Sequence, residues 1–204
     1  NISHEFRTPL TLILGPVEKM LNSSLKDEIQ EQLSLIHRNA LRLLRLVNEI
    51  MDFRKIETGR MKLRVTNNDL SVFVHDIYFS FNELAKRQKI HFTFNCKKPE
   101  VTGWFDRDKV EKILFNLISN AFKFTPPGGE ISIFVDEEER FSKANSFPKK
   151  YGVFSVSDNG RGISKENLER IFDRFYQVEG NSSQVWQGSG VGLSLTKNLV
   201  DIHY

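Results

Sequence analysis

A single cysteine, Cys96, stands in 204 residues, which excludes an internal disulfide and any cysteine-cluster metal site and fits a reducing compartment. Wholly apolar runs extend for only a few residues, so no stretch can span a bilayer, and no charged-then-apolar leader opens the chain. Charge of one sign is equally scarce: 29 basic against 26 acidic side chains leave a formal +3. An excess so slight and so scattered argues against a nucleic-acid partner. There is no initiator methionine, and a reactive-looking histidine follows almost at once, so the sequence reads as a piece of something longer. Its length has room for one or two domains with a real core.

What is present begins with Asn1-Ile2-Ser3-His4-Glu5-Phe6-Arg7-Thr8-Pro9-Leu10. Apolar residues at Ile2, Phe6, Leu10, Ile13, Val17 and Met20 step by three or four and predict one buried stripe of an amphipathic helix. His4 falls just off that stripe. Its imidazole is then reachable, with Glu5 beside it to take a proton from one ring nitrogen while the other attacks. Thr8 lies one turn on, on the His4 face, where its hydroxyl could orient a water for the reverse, hydrolytic step. Pro9 removes a backbone hydrogen bond and predicts a bend. Taken alone, a His-Glu pair fits an ordinary surface histidine better.

The break at residues 21 to 27 ends this helix, with Asp27 placed to cap the next. There Leu33, Ile36, Ala40, Leu43, Val47 and Ile50 form a heptad seam, while Arg38, Arg42, Arg45, Glu49 and Arg54 keep the other faces wet. Two helices cannot bury such seams alone, and pairing with a second copy into a four-helix bundle is the simplest completion. His37 lies beside the seam and reads as solvated or partly packed, with no adjoining carboxylate. Gly59 stops the helix, so the expected units are a helical hairpin over 1–58 and a second domain over 59–204.

In the second domain the periodicity mixes. It predicts strands at 61 to 66, 90 to 96, 130 to 136 and 151 to 157, and helices at 69 to 87, 106 to 124, 164 to 171 and 190 to 203. That order is a two-layer α/β sandwich with helices on one face of a mixed sheet, which makes the whole chain α+β.

Three stretches there carry chemistry. In Asp106 to Pro126, Asn116, Asn120 and Lys123 share one helix face: two amide oxygens suit a hard cation such as magnesium, and the lysine suits a phosphate. A solvated outer face is the bland alternative, but asparagine is a poor mid-helix choice for one. In Ser157-Asp158-Asn159-Gly160-Arg161-Gly162, an aspartate at a strand end precedes glycines that let a flat ring approach the backbone. Its carboxylate can accept from an exocyclic amine such as that of adenine, although Asp-Asn-Gly is also common turn chemistry. In Gln187-Gly188-Ser189-Gly190-Val191-Gly192, glycines lead into a helix whose freed amides can cradle phosphates. No Gly-Lys-Ser/Thr follows, and a bare glycine run is weak evidence. Between the last two lies Ile171-Phe172-Asp173-Arg174-Phe175-Tyr176-Gln177, followed by a polar stretch to Gln187 with the position and composition of a lid. Phe172 and Phe175 fit equally as lid anchors in the core or as ligand contacts.

In this order the stretches resemble the transmitter core of sensor histidine kinases, whose catalytic domain has the ATP-binding fold shared with gyrase and MutL. The match covers a histidine box at 1 to 10, an asparagine box at 106 to 126, glycine boxes at 158 to 162 and 188 to 192, and a phenylalanine box at 171 to 176. The resemblance implies a dimeric four-helix bundle followed by an ATP-binding sandwich. His4 would be the phosphoacceptor, Glu5 its acid/base partner and Thr8 the phosphatase determinant. Asn120 would hold Mg2+ with Asn116 in support, Lys123 would touch phosphate, Phe124 would flank the nucleotide and Asp158 would read adenine. Gly160 and Gly162 would shape the adenine side, and Gly188, Gly190 and Gly192 would border the phosphates.

The implied partners are a second copy of the chain and the receiver domain of a response regulator, in trans or in a hybrid chain, with no nucleic acid and no membrane contact by this stretch. The implied setting is the cytoplasmic part of an inner-membrane-anchored sensor. The loop at 137 to 150 and the histidine box further resemble hybrid sensors of the Bacteroidetes. Departures are Val191 in place of the usual leucine, an end at Tyr204 before the expected final strands, and no helix before His4. The activity implied is ATP-dependent phosphorylation of His4 with transfer to an aspartate. A catalytically silent ATP-binding signalling module is the rival reading, and Glu5 beside His4 speaks against it.

Overall fold

The computed structural model describes residues 2–21, 27–141, 148–177 and 190–203, with the side chains of residues 2–9 and 28 outside the described set. Helices α1 (Ile2–Leu21) and α2 (Asp27–Glu57) form an antiparallel hairpin. Leu10 and Leu14 pack on Ala40, Leu44 and Val47, and α1 is uninterrupted through Pro9. The expected seams are shared between two faces. Ile29, Ile36, Leu43 and Ile50, spaced by seven, stay 41% to 50% exposed, as do Ile13 and Met20 on α1. His37 is partly packed, as expected, but it does have a carboxylate partner: Glu18 of α1 reaches it across the hairpin, with 3.2 Å between Oε1 and Nε2. That partner lies nineteen residues away, which is why adjacency in sequence missed it.

Gly59 ends α2 with φ 63°. Its N–H and that of Arg60 donate to the Ile56 and Lys55 carbonyls, a left-handed stop that glycine adopts at little cost. The strand expected at 61 to 66 instead runs over β1 (Thr66–Asp69), because its partner is β3 (Thr102–Phe105), paired antiparallel as Thr66 with Phe105. The short Thr-Gly-Trp-Phe of β3, with Trp104 exposed, lacks the alternation that would have marked it. The single helix expected over 69 to 87 is two, α3 (Leu70–Ser80) and α4 (Asn82–Gln88). The chain turns at Phe81, whose buried ring stacks on Phe122 at 5.7 Å.

The main sheet runs β2 (His91–Cys96), β4 (Glu130–Arg140), β5 (Lys149–Asp158), with β2 parallel and β5 antiparallel to β4. Inward-facing Phe92, Ile131, Ile133 and Val135 meet α3 and α5 (Arg107–Phe124) through Val74, Ile77, Leu114, Ile118 and Phe122. The 137 to 150 loop is largely hairpin, since β4 and β5 stay paired out to Arg140 and Lys149. The last elements are the short α6 (Lys165–Leu168) and α7 (Gly192–Asp201). Helix α7 packs on α5 and the end of α2 through Leu195, Leu199, Ile113, Ile56 and Met61.

Candidate active site

Helix α5 carries the site. Asp106 starts it: burial favours the neutral acid, but N–H donation from Arg64 (2.7 Å) and Lys109 (3.2 Å), with the charges of Lys109 and His203, holds the carboxyl below its usual range. Pro126 ends it, forcing Thr125 into extended backbone. Lys123 and Phe124 at that end, the Thr125-Pro126-Pro127 turn and the Asn159-Gly160-Arg161 turn after β5 surround a cleft of about 520 Å³.

The second turn is held from several sides. Asn159 continues the ladder past the strand end, donating its N–H to Glu130 O (3.1 Å) and accepting at Oδ1 from Glu130 N–H (2.8 Å). Gly160 N–H donates to Asp158 Oδ1 (2.9 Å), and Arg161 N–H to Phe124 O (3.4 Å). A Cβ on residue 160 would collide with that carbonyl and with the Asp158 carboxylate, so only glycine lets the two segments close. Gly162 follows at φ 67°. Asp158 itself is exposed, and Oδ2 is left without a partner among the described residues.

Asn120 and Asn116 follow Lys123 back along α5, with about 10 Å of helix rise from Lys123 to Asn116. Asn116 Nδ2 donates to Thr196 Oγ1 on α7 (2.9 Å), which sets its carbonyl oxygen against Gly192. Helix α7 begins at Gly192 with Val191 as its N-cap residue and no side-chain cap, so the amides of its first turn can meet an acceptor from outside the helix. Gly190, at φ 70°, accepts from Phe175 N–H (2.9 Å) and lies against the Phe175 backbone. Phe172 and Phe175 are both exposed; neither anchors in the core. Gly188 and the stretch 178 to 187 expected as a lid lie outside the described residues.

The cleft is electropositive. Lys123 Nζ lies 4.8 Å and the Arg161 guanidinium 4.6 Å from the Phe124 ring centroid. Burial, then the charges of Arg161 and of Arg42 on α2, push the Lys123 ammonium below its usual pKa. Among the described residues no acid lines the cleft, and the buried Thr125 hydroxyl has no hydrogen-bond partner. These features suit an anionic ligand. Among the described residues no group of three or more His, Cys, Asp or Glu could hold a metal. A cation here would depend on the Asn116 and Asn120 oxygens and on those of a bound ligand.

His4, Glu5 and Thr8 occupy the first turns of α1, where only the helix itself is described. Continuing the antiparallel step set by Glu18–His37 brings His4 level with the turn around Met51 of α2. The rest of the chain docks close by. Asp52 pairs with Lys112 of α5, Glu57 pairs with Arg174, and the Arg174 guanidinium sits 3.7 Å from the centroid of buried Phe53.

Residues 1–59 match the His Kinase A (phospho-acceptor) domain, and residues 105–204 match the histidine kinase-, DNA gyrase B- and HSP90-like ATPase. The chain belongs to the sensor histidine kinases. Histidine kinase P4 of Formosa agariphila is 39% identical over all of this chain, and hybrid signal transduction histidine kinase D of Dictyostelium discoideum is 38% identical. The chain spans only 14% and 13% of those kinases. Full-length ShkA in complex with AMPPNP superposes with a TM-score of 0.78 at 26% identity, over 98% of this chain and 39% of that one. The histidine kinase ThkA in complex with response regulator TrrA superposes with a TM-score of 0.57 at 25% identity, over 86% of this chain and 49% of that one.

Sequence reasoning on this kinase core missed three supporting residues. Thr196 gave no signal, since it meets Asn116 only through the packing of two helices. Asn159 reads from the sequence as turn chemistry alone. Arg161 had a visible signal, a cation between two glycines, that went unused.

Proposed function

We propose that the chain is the dimerising and catalytic core of an ATP-dependent protein-histidine kinase. It phosphorylates His4, passes the phosphoryl group to an aspartate of a response-regulator receiver domain, and supports dephosphorylation of that regulator. One observation carries the reading: a single face of α5 runs from an acid-free cationic cleft to the uncapped, glycine-led start of α7, in a chain that also carries an acid–histidine pair on a helix. The AMPPNP held by ShkA and the regulator held by ThkA support it.

In this reading Asp158 accepts from the adenine amine through its open oxygen, and Gly160 and Gly162 keep the backbone close to the base. Phe124 flanks the nucleotide, Lys123 contacts phosphate, and Gly188, Gly190 and Gly192 border the phosphate chain. Asn120, supported by Asn116, holds Mg2+, which when bound offsets charge on the phosphates. Glu5 takes the proton from the non-attacking nitrogen of His4, and Thr8 orients the hydrolytic water. Completion by a second copy would cover the exposed stripe Ile29, Ile36, Leu43 and Ile50, which otherwise leaves apolar surface in water. In this reading the core belongs to a sensor anchored in the inner membrane, with this part on the cytoplasmic side.

Asn120→Asp tests the metal assignment. A new carboxylate disturbs charge and hydrogen bonding around a magnesium triphosphate, so label transfer to His4 should be lost while the circular dichroism spectrum and melting temperature are retained. Transfer at the wild-type rate would remove Asn120 from the site.

A further inference from the structure

We propose that Arg161 is a second phosphate-binding cation of the nucleotide cleft, gripping the phosphate chain from the glycine turn while Lys123 grips it from α5. The inference rests on the nucleotide reading above and adds a residue to it.

Two cations share one small aromatic platform. Lys123 Nζ and the Arg161 guanidinium stand 4.8 Å and 4.6 Å from the centroid of Phe124, and both line the same cleft. Backbone geometry brings them together: Arg161 N–H donates to Phe124 O, and glycine at 160 lets the turn close on that carbonyl. Neither cation lies within ion-pair distance of a carboxylate among the described residues. On the main sheet Lys97 pairs with Asp136, Lys98 and Lys150 with Glu137, and Arg140 with Glu138. Two unmatched positive charges converging on one ring repel, and Lys123 registers this beside its burial. An anion between them replaces repulsion with two charge-assisted contacts.

A guanidinium is suited to that role because its planar fork can donate to two phosphate oxygens at once, while its flat face rests on Phe124. The competing explanation is that Arg161 merely braces the Phe124 ring. The two differ in which ligand responds. Phosphate contact affects ATP and spares adenosine, whereas bracing the ring affects both alike.

The test is binding of ATP and of adenosine to the full-length protein by titration calorimetry, for wild type, Arg161→Ala and Arg161→Lys. Arg161→Ala should weaken ATP by about ten- to a hundredfold, as for one lost charge-assisted contact, and leave adenosine unchanged. Arg161→Lys should recover part of the loss, and the fall of ATP affinity with added salt should be shallower in Arg161→Ala than in wild type. Unchanged ATP affinity, or equal loss for ATP and adenosine, would overturn the assignment. A wild-type protein that binds neither ligand would overturn the nucleotide reading itself, a result the Arg161 variants cannot mimic.

Discussion

Asp158, at the end of β5, is proposed to serve the ligand, whereas Asp106, at the start of α5, serves the fold. Asp158 already spends Oδ1 on Gly160 N–H, so Asp158→Asn can keep the turn through its remaining oxygen while presenting an amide donor where the adenine amine also donates. Loss of that charge-assisted bond should weaken ATP by roughly 1.5 to 3 kcal/mol, read by calorimetry, with little change in melting temperature. Unaltered affinity would remove Asp158 from adenine recognition. Asp106 is buried, and its two oxygens accept from Arg64 and Lys109. An asparagine would set an amide donor against one of those N–H groups, so Asp106→Asn should cost about 1 to 3 kcal/mol in urea unfolding at neutral pH. Because the folded carboxyl is held below its usual range, this stabilisation is fully present above the ordinary aspartate pKa of about 3.9. It is lost as pH falls through the lower folded value. The wild-type advantage should therefore shrink only under acid conditions; an advantage independent of pH would point to shape rather than charge.

At the level of elements, the turn of α2 around Phe53 is where the second domain meets the hairpin, through Arg174 on Phe53 and Lys112 on Asp52. Phe53 and Arg174 should show a coupling of about 0.5 to 2 kcal/mol in a double-mutant cycle of Phe53→Ala and Arg174→Ala followed by denaturant melts. Additive losses would mean that the contact is incidental. Long, strongly periodic elements were legible in the sequence: both hairpin helices, α5 from its Asp106 cap to Pro126, and the alternating Phe92 and Phe94 of β2. What could not be read depended on distant partners. Strand β1 exists where β3 pairs with it, α3 and α4 separate so that Phe81 can bury its ring against Phe122, and Glu18 finds His37 from another helix. The candidate site divides in the same way. Asn116, Asn120, Lys123 and Asp158 were legible as candidates from spacing and residue chemistry, whereas the Thr196 contact with Asn116 and the approach of Arg161 to Phe124 arise only when α7 and the β5 turn close on α5.

For the molecule as a whole, the kinase reading requires that a nucleotide bound by the second domain react with the histidine of the first. A silent ATP-binding module would share the cleft, the glycine turns and the exposed bundle stripe, so binding alone does not separate the two. Phosphoryl transfer does. The full-length protein, incubated with γ-labelled ATP and Mg2+, should acquire label that is labile in acid and stable in base, and His4→Gln should abolish it while still binding ATP. Label that persists in His4→Gln, or a wild-type protein that binds ATP and never becomes labelled, would contradict the kinase reading.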